Sequence, residues 1–517
     1  MRARLLLAAS VLAAFGASLS SGFHFDDYAI FGDARLTPAS AWSAIFSAQQ
    51  TRPLTYLTFW LNRALGGQDA FGYHALNLAL HLAAALLAYE CLLRLLEPRA
   101  AWLAAALFAV HPLQTEAVDY IWGRAIVLAA VFVLASLLAW INGHPWLSVV
   151  LFGLALLAKE ECAAFPLALW LLDFAMAKAS GPTANGGRPG EHSAGTGKRS
   201  RDGSRLSRLD SRRHGGRRRP APWGPLATMF ALSLAAGLRT IYAAAVTPGT
   251  QAGAQAGITP WDYFLAEGSV VWRYLRLFLI PYGFTVDAEI RVPHAWLGIG
   301  AWLLLIGGLA AVWRWRSDLA VWLTAAMIML MPSSSILPAA DLAADRRMYL
   351  ALLPLAAGAA LLLARLRPRA IAPLAIAALM AMSIGRTQVW ASDTSLWREA
   401  VRRAPDKVRP RIQLARSVGT EEALAVLAEA RRIAPDDPAV AAETGRVLMI
   451  AGRPGEALAE FGRALALAPR DANNYNNRGV ALEALGQAAA ARDDFLRALE
   501  LNPALAPARE NLRKLAQ

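Results

Sequence analysis

Eleven long apolar segments, joined by short polar connections, occupy most of the first 390 residues and leave few folds open to the chain. They lie at approximately 4–20, 74–96, 100–116, 123–141, 145–159, 162–177, 223–245, 295–313, 318–332, 348–365 and 370–387. A helix of about 20 apolar residues crosses a bilayer because it satisfies its own backbone hydrogen bonds. Several segments are shorter than that, which tilt cannot correct but local bilayer thinning can. Composition agrees, with 56% hydrophobic residues and only 17% charged. The expected fold class is therefore all-α, a polytopic membrane helix bundle. The stretch 261–284 is a twelfth candidate, but Glu267, Arg273 and Arg276 interrupt it. Each arginine at mid-span would cost about 2.5–3.5 kcal/mol, so this stretch is placed along the outer interface.

The net charge of +14 does not point to nucleic acid, because the excess sits between Lys178 and Arg219, where twelve basic residues face three acidic ones. Residues 178–222 are also rich in Gly, Ser and Pro, which predicts a disordered cytosolic loop. Shorter basic clusters at Arg2 and Arg4, Arg94 and Arg99, Arg314 and Arg316, and Arg365, Arg367 and Arg369 fall on the same side with eleven spans. A twelfth span would separate them. The first segment also has the build of a secretory signal, and with or without cleavage the loop after it lies outside. Cys91 and Cys162 both fall in apolar runs and read as packing residues.

After Trp390 the composition turns to Arg, Glu, Ala and Pro, and a repeat of 34 residues begins. It relates Pro435 to Pro469 and Pro503, Gly445 to Gly479, Gly452 to Gly486, Ala457 to Ala491, and Phe461 to Phe495. This is tetratricopeptide spacing, in which small residues let paired helices approach and an aromatic fills the gap. A degenerate unit from about Trp397 to Pro435 precedes the regular ones, and residues 511–517 continue a capping helix. The domains are thus a membrane domain over 1–389 and an α-solenoid of tetratricopeptide repeats over 390–517. Eleven spans put the solenoid on the outer side.

Polar residues gather at the outer ends of the spans. Asp26 and Asp27 follow the first one, inside an aromatic run. Beyond them come Arg52, the His111-Pro112-Leu113-Gln114-Thr115-Glu116 stretch, Arg124, Lys159-Glu160-Glu161, and Asp341, Asp345, Arg346 and Arg347. Ionisable groups at membrane depth are costly unless paired or lining a wet cavity, so their convergence suggests a site. The plainer alternative is a set of surface loops. His74, Asn77 and His81 share one helical face, but the two histidines are roughly 10 Å apart by helical rise, which favours interhelical hydrogen bonding over a shared ion. No phosphate-binding Gly loop, Cys/His metal pattern or Gly-x-Ser-x-Gly elbow is present. Carboxylates facing guanidinium and ammonium groups suit transfer from an anionic lipid phosphate. The cations would steady the leaving phosphate while a carboxylate takes a proton from the acceptor hydroxyl.

The ordered blocks Phe25-Asp26-Asp27-Tyr28, Arg52-Pro53-Leu54-Thr55, Tyr73-His74-Ala75-Leu76-Asn77, His111-Pro112, Thr115-Glu116-Ala117-Val118, Gly123-Arg124-Ala125, Ala158-Lys159-Glu160 and Asp345-Arg346 resemble one known family. It is the transmembrane and tetratricopeptide-repeat-containing O-mannosyltransferase family with its bacterial relatives. Trp390-Ala391-Ser392-Asp393 and Leu396-Trp397 fit as well, so the resemblance spans nearly the whole chain. It implies the GT-C membrane fold and an inverting transferase that takes a sugar, typically mannose, from a polyprenyl phosphate. Carried over by position, one of Asp26 and Asp27 would be the general base toward a Ser or Thr hydroxyl, Asp26 being the first choice. The other would hold the acceptor or a divalent cation. Arg52, Arg124, Lys159 and Arg346 would bind donor phosphate, and His111, Glu116 and Glu160 would shape the site. On a purely structural reading Arg124 pairs with Glu116, and Lys159 and Glu160 lock two helix ends. Two departures stand out: Ile126 where the family often has an acid, and the length of the basic loop.

The expected function is a membrane glycosyltransferase acting on exported polypeptides gathered by the repeats. The alternatives are a non-catalytic scaffold and a transferase for lipid-linked or wall glycans. High Ala, Arg and Gly usage and the lack of any Asn-x-Ser/Thr acceptor favour a bacterial inner membrane over the endoplasmic reticulum.

Overall fold

The computed structural model describes residues 1–37, 45–46, 50–179, 222–246, 257–334, 338–339, 341–365 and 370–515. The basic loop expected at 178–222 lies almost entirely outside them. Among the described residues every regular element is a helix or 3-10 turn and none is a strand. It divides into two units, one of residues Met1–Phe284 and Ile290–Ser392, the other of Thr285–Glu289 and Asp393–Gln517.

In the first unit, seven helical segments are long and apolar enough to cross a membrane: Arg2–Ser20, Ala70–Leu95, Ile121–Ile141, Trp223–Val246, Ala295–Trp315, Asp345–Leu363 and Ile371–Val389. Three shorter apolar helices, Pro98–Val110, Pro145–Ala158 and Ser317–Leu330, accompany them. A helix at Phe165–Ala179 takes the place of the segment expected at 162–177. The protein is a multi-pass membrane protein. The helix Ala70–Leu95 is the longest, capped by Asp69 Oδ1, which accepts from the Phe71 amide at 3.0 Å. Its polar face meets neighbouring elements as the spacing predicts. Asn77 Nδ2 donates to the carbonyls of Val118 and Tyr120, and His74 Nε2 donates to that of Gly22. His81 Nε2 donates to the Ala109 carbonyl at 3.0 Å, which leaves its Nδ1 to accept from the Tyr349 hydroxyl at 2.7 Å.

The segment expected as one span at 100–116 ends at Val110. Pro112 has no amide to continue the ladder, and it pushes His111 into extended geometry, with ψ 135°. The chain then makes a 3-10 turn Pro112–Gln114, a short helix Thr115–Asp119 and a second 3-10 turn Ile121–Gly123 before the helix Arg124–Ile141 starts. Gly123 is required there, because a Cβ on it would stand 2.6 Å from the Ala117 carbonyl oxygen. Two other charged corners share this build: Glu160–Ala164 and Asp345–Arg347 are each a 3-10 turn leading into an apolar helix.

The stretch expected along the outer interface forms the helix Pro260–Leu279, amphipathic and without a membrane-span composition. Two of its charges turn inward, and Arg276 stays exposed. Glu267 is fully buried and faces Arg347 at 3.4 Å, and Arg273 pairs with Asp345 at 2.5 Å.

The second unit is an array of antiparallel helix pairs. The pairs are Arg409–Ser417 with Thr420–Ile433, Pro438–Ile450 with Pro454–Leu467, and Ala472–Ala484 with Ala488–Leu501. The helix Asp393–Arg403 precedes them and Ala506–Leu515 follows. The period has a visible physical cause. A Cβ on Gly445 would lie 2.7 Å from the Phe461 ring, and one on Gly479 would lie 2.6 Å from the Phe495 ring. Each glycine is where the first helix of a pair admits the aromatic of the second. Thr285–Glu289 also belongs to this unit, with Asp287 buried and ion-paired to Lys407.

Candidate active site

Asp26 and Asp27 occupy a single 3-10 turn, Phe25–Tyr28, and the turn separates their surroundings. Asp27 is fully buried. Its Oδ2 accepts from the His24 amide at 3.0 Å and its Oδ1 from the Trp122 amide at 2.9 Å. Burial raises its pKa to about 7, against the lowering effect of those amides and of His24. Asp26 is exposed, and its Oδ2 accepts from the Tyr120 hydroxyl at 3.1 Å. Phe25 pays for the turn with φ +23°, a region that disfavours a side chain, and stacks obliquely on Tyr120 at 4.6 Å. The pair thus consists of one anchored carboxyl and one presented carboxylate.

Three of the four proposed phosphate-binding cations come together, each matched by a carboxylate. Arg52 forms a two-pronged pair with Glu160, Nη2 to Oε1 at 2.5 Å and Nε to Oε2 at 3.0 Å. Lys159 Nζ meets Glu161 at 3.0 Å. Arg346 pairs with Glu116, whose other oxygen accepts from the Arg346 amide at 3.3 Å. Burial pulls the Glu160 pKa up, but Arg52 outweighs it and holds the carboxylate down at about 2. Burial lowers the Lys159 pKa, and the neighbouring charges of Arg52 and Arg346 act in the same direction. Tyr120, buried and raised well above its ordinary value, lies within electrostatic reach of Asp27, Asp26 and Arg346. It links the acid turn to the cation cluster.

Arg124 is placed differently. It is fully buried, and its Nε donates to Asn77 Oδ1 at 2.8 Å, its Nη1 to Asn62 Oδ1 at 2.6 Å, and its Nη2 to the Tyr73 carbonyl at 2.9 Å. The guanidinium also sits 4.6 Å over the Phe59 ring. In this arrangement its donors serve the protein and not a phosphate, and its partner is not Glu116. His111 is likewise a structural cap. Its Nδ1 accepts from the Leu113 amide, its Nε2 donates to the Phe278 carbonyl, and burial lowers its pKa to about 4, so it is neutral.

Two residues of the site escape a reading of the sequence. Tyr120 has no motif, and only its position three residues before the Gly123 break signals it. Asp119 is fully buried, and burial raises its pKa to about 8 against the lowering effect of the Thr387 hydroxyl and of Arg386. In the acid turn Asp26 is the exposed carboxyl group, while Asp27 is fully buried. Among the described residues no group of three His, Cys, Asp or Glu side chains is placed to hold a metal.

No protein-family model matches the chain. Among characterised proteins, protein O-mannosyl-transferase TMTC3 of Mus musculus is 35% identical over 180 residues, covering 30% of this chain and 20% of that protein. Human protein O-mannosyl-transferase TMTC2 is 38% identical over 158 residues, covering 28% and 19%. The chain is similar in sequence to the TMTC protein O-mannosyl-transferases. The aligned part spans about a fifth of the length of these relatives and under a third of this chain, less than the ordered motifs suggest. Among solved structures, ArnT from Cupriavidus metallidurans bound to undecaprenyl phosphate is 13% identical with a TM-score of 0.39, over 95% of this chain and 79% of that one. A tetratricopeptide protein of Thermus thermophilus is 21% identical with a TM-score of 0.23, over 27% and 80%.

Proposed function

We propose that the protein is a GT-C-type membrane glycosyltransferase that moves a hexose from a polyprenyl phosphate to Ser or Thr hydroxyls of exported polypeptides. The observation that carries this reading is the division within the acid turn: Asp26 is exposed and accepts from Tyr120, which lies within electrostatic reach of Arg346, while Asp27 is locked by two backbone amides. A general base must be reachable and charged. Asp27 is fully buried and both its oxygens accept from backbone amides, whereas Asp26 is the exposed member of the pair, so Asp26 is assigned as the base.

In the proposed step Asp26 takes the acceptor hydroxyl proton as that oxygen attacks the anomeric carbon. The bond from that carbon to the phosphate oxygen breaks, and the electron pair leaves with the polyprenyl phosphate. A direct displacement of this kind inverts the anomeric centre. Arg346, Lys159 and Arg52 are the groups that steady the leaving phosphate, exchanging their carboxylate partners for it. Asp27 and Tyr120 position the turn. The repeats gather the acceptor, and the site faces the periplasmic side of a bacterial inner membrane.

Mass spectrometry of exported proteins from wild-type, deletion and Asp26→Asn cells tests the reading. Hexosylated Ser and Thr peptides should be present in the first and lost from the other two. Identical peptides in all three would leave a scaffold or a glycan-directed enzyme.

A further inference from the structure

Trp390 caps the helix Ile371–Val389, three residues before the second unit begins at Asp393, and it is fully buried. We infer that it is the positioning residue of the acid turn, an inference that rests on the transferase reading above. Two separate lines of contact run from it to the two carboxyl groups. One passes through Tyr120, whose ring lies 5.8 Å from the indole with planes 30° apart and whose hydroxyl donates to Asp26 Oδ2 at 3.1 Å. The other passes through His24, whose Nε2 donates to the Trp390 carbonyl at 2.7 Å and whose ring meets the indole edge-on at 5.7 Å. The His24 side chain in turn accepts from the Asp27 amide, and the His24 amide donates to Asp27 Oδ2 at 3.0 Å. With Nε2 as donor, the neutral imidazole has one nitrogen left to accept, so a single tautomer serves both contacts.

The turn itself supplies the second argument. Phe25 is held at φ +23°, a strained conformation that persists only where the surroundings fix it. Its ring lies 4.6 Å from Tyr120 and 6.4 Å from Trp390, so the three rings enclose the turn's first residue. The last turn of the same helix also reaches the chain just before Tyr120, because the Thr387 hydroxyl and Arg386 act on buried Asp119. The indole N–H is buried with no hydrogen-bond partner among the described residues, so this position uses the faces and edge of the ring. A reacting group misplaced by about 1 Å can cost about 100-fold in rate, which is how a residue that never meets substrate can govern the transfer.

Transfer by the purified full-length protein from polyprenyl-phosphate mannose and polyprenyl-phosphate glucose to a Ser/Thr peptide tests the role. The proteins compared are wild type, Trp390→Phe, Trp390→Leu, Phe25→Leu, and each Leu variant combined with Asp26→Asn. Trp390→Leu should lower kcat roughly 10- to 100-fold with KM for donor and peptide unchanged, while Trp390→Phe stays within about threefold of wild type. Phe25→Leu, at a half-buried residue, should repeat the loss from the other side of the turn, which keeps the role testable if Trp390→Leu does not fold. In the Asp26→Asn background neither Leu substitution should lower transfer further by more than about twofold, because a residue that acts through the base then has nothing left to position. The role is wrong if both Leu variants transfer at the wild-type rate, if they lower kcat by the same factor with and without Asp26, or if they raise KM alone. A folded wild type that transfers neither sugar removes the transferase reading along with it.

Discussion

Arg124 in the membrane unit and Arg478 in the repeat unit carry the same side chain into two different solvents. Arg124 is enclosed, and neutral oxygens from Asn62, Asn77 and Tyr73 satisfy it. Arg478 is partly exposed and makes a two-pronged pair with Asp494, both contacts at 2.7 Å. Water can replace Asp494 at Arg478, whereas nothing can replace the cage around Arg124. Arg124 therefore depends on a network of several neutral partners, while the repeat unit keeps its shape through apolar interlocking with ion pairs as a margin.

That contrast is open to attack at several points. Arg124→Ala should be the most damaging change, costing about 3 kcal/mol or more, because it strands two amide oxygens and a carbonyl in a buried place. Thermal unfolding in detergent and yield of folded protein would show it, and a near-normal midpoint would mean the cage is dispensable. Gly479→Ala should cost about 1–3 kcal/mol in the repeat unit, since the new methyl group meets Phe495. A repeat unit as stable as wild type would show that the helices part freely.

The pH response sharpens the same contrast. The folded-state pKa of Asp27 is raised from 3.8 to about 7, so its contribution to stability is complete below about pH 3.8 and is lost as pH rises through 7. Melting curves should show wild type losing stability relative to Asp27→Asn between about pH 4 and pH 7, then running parallel above that. A constant difference across the range would mean that Asp27 is ionised throughout. Arg478→Lys should have the smallest effect, under about 1 kcal/mol, because it keeps a cation beside the buried Asp494.

The repeat unit is the more legible half because its determining contacts recur. The offset of 34 that links Gly445 to Gly479 and Phe461 to Phe495 is a contact repeated in space, and so it is written as a period. In the membrane unit the apolar runs reveal the helices but not the corners between them. The run expected at 100–116 looks continuous by hydropathy, yet Pro112 ends it and opens the irregular path that carries Glu116, Asp119, Tyr120 and Trp122. Arg124 and Arg346 look equivalent as cations at span ends. What separates them is the neutral oxygens around one and the carboxylate beside the other, and neither arrangement leaves a spacing to read. Asp26 and Asp27 are adjacent in the chain and differ only because the turn at Phe25 points one outward.

The most direct test is hexose transfer by purified protein from a polyprenyl-phosphate hexose to a Ser/Thr peptide, compared between wild type and Asp26→Asn. Turnover should fall by about 100-fold or more, the scale of a lost general base, with the melting temperature unchanged. An Asp26→Asn protein that transfers at the wild-type rate would contradict it.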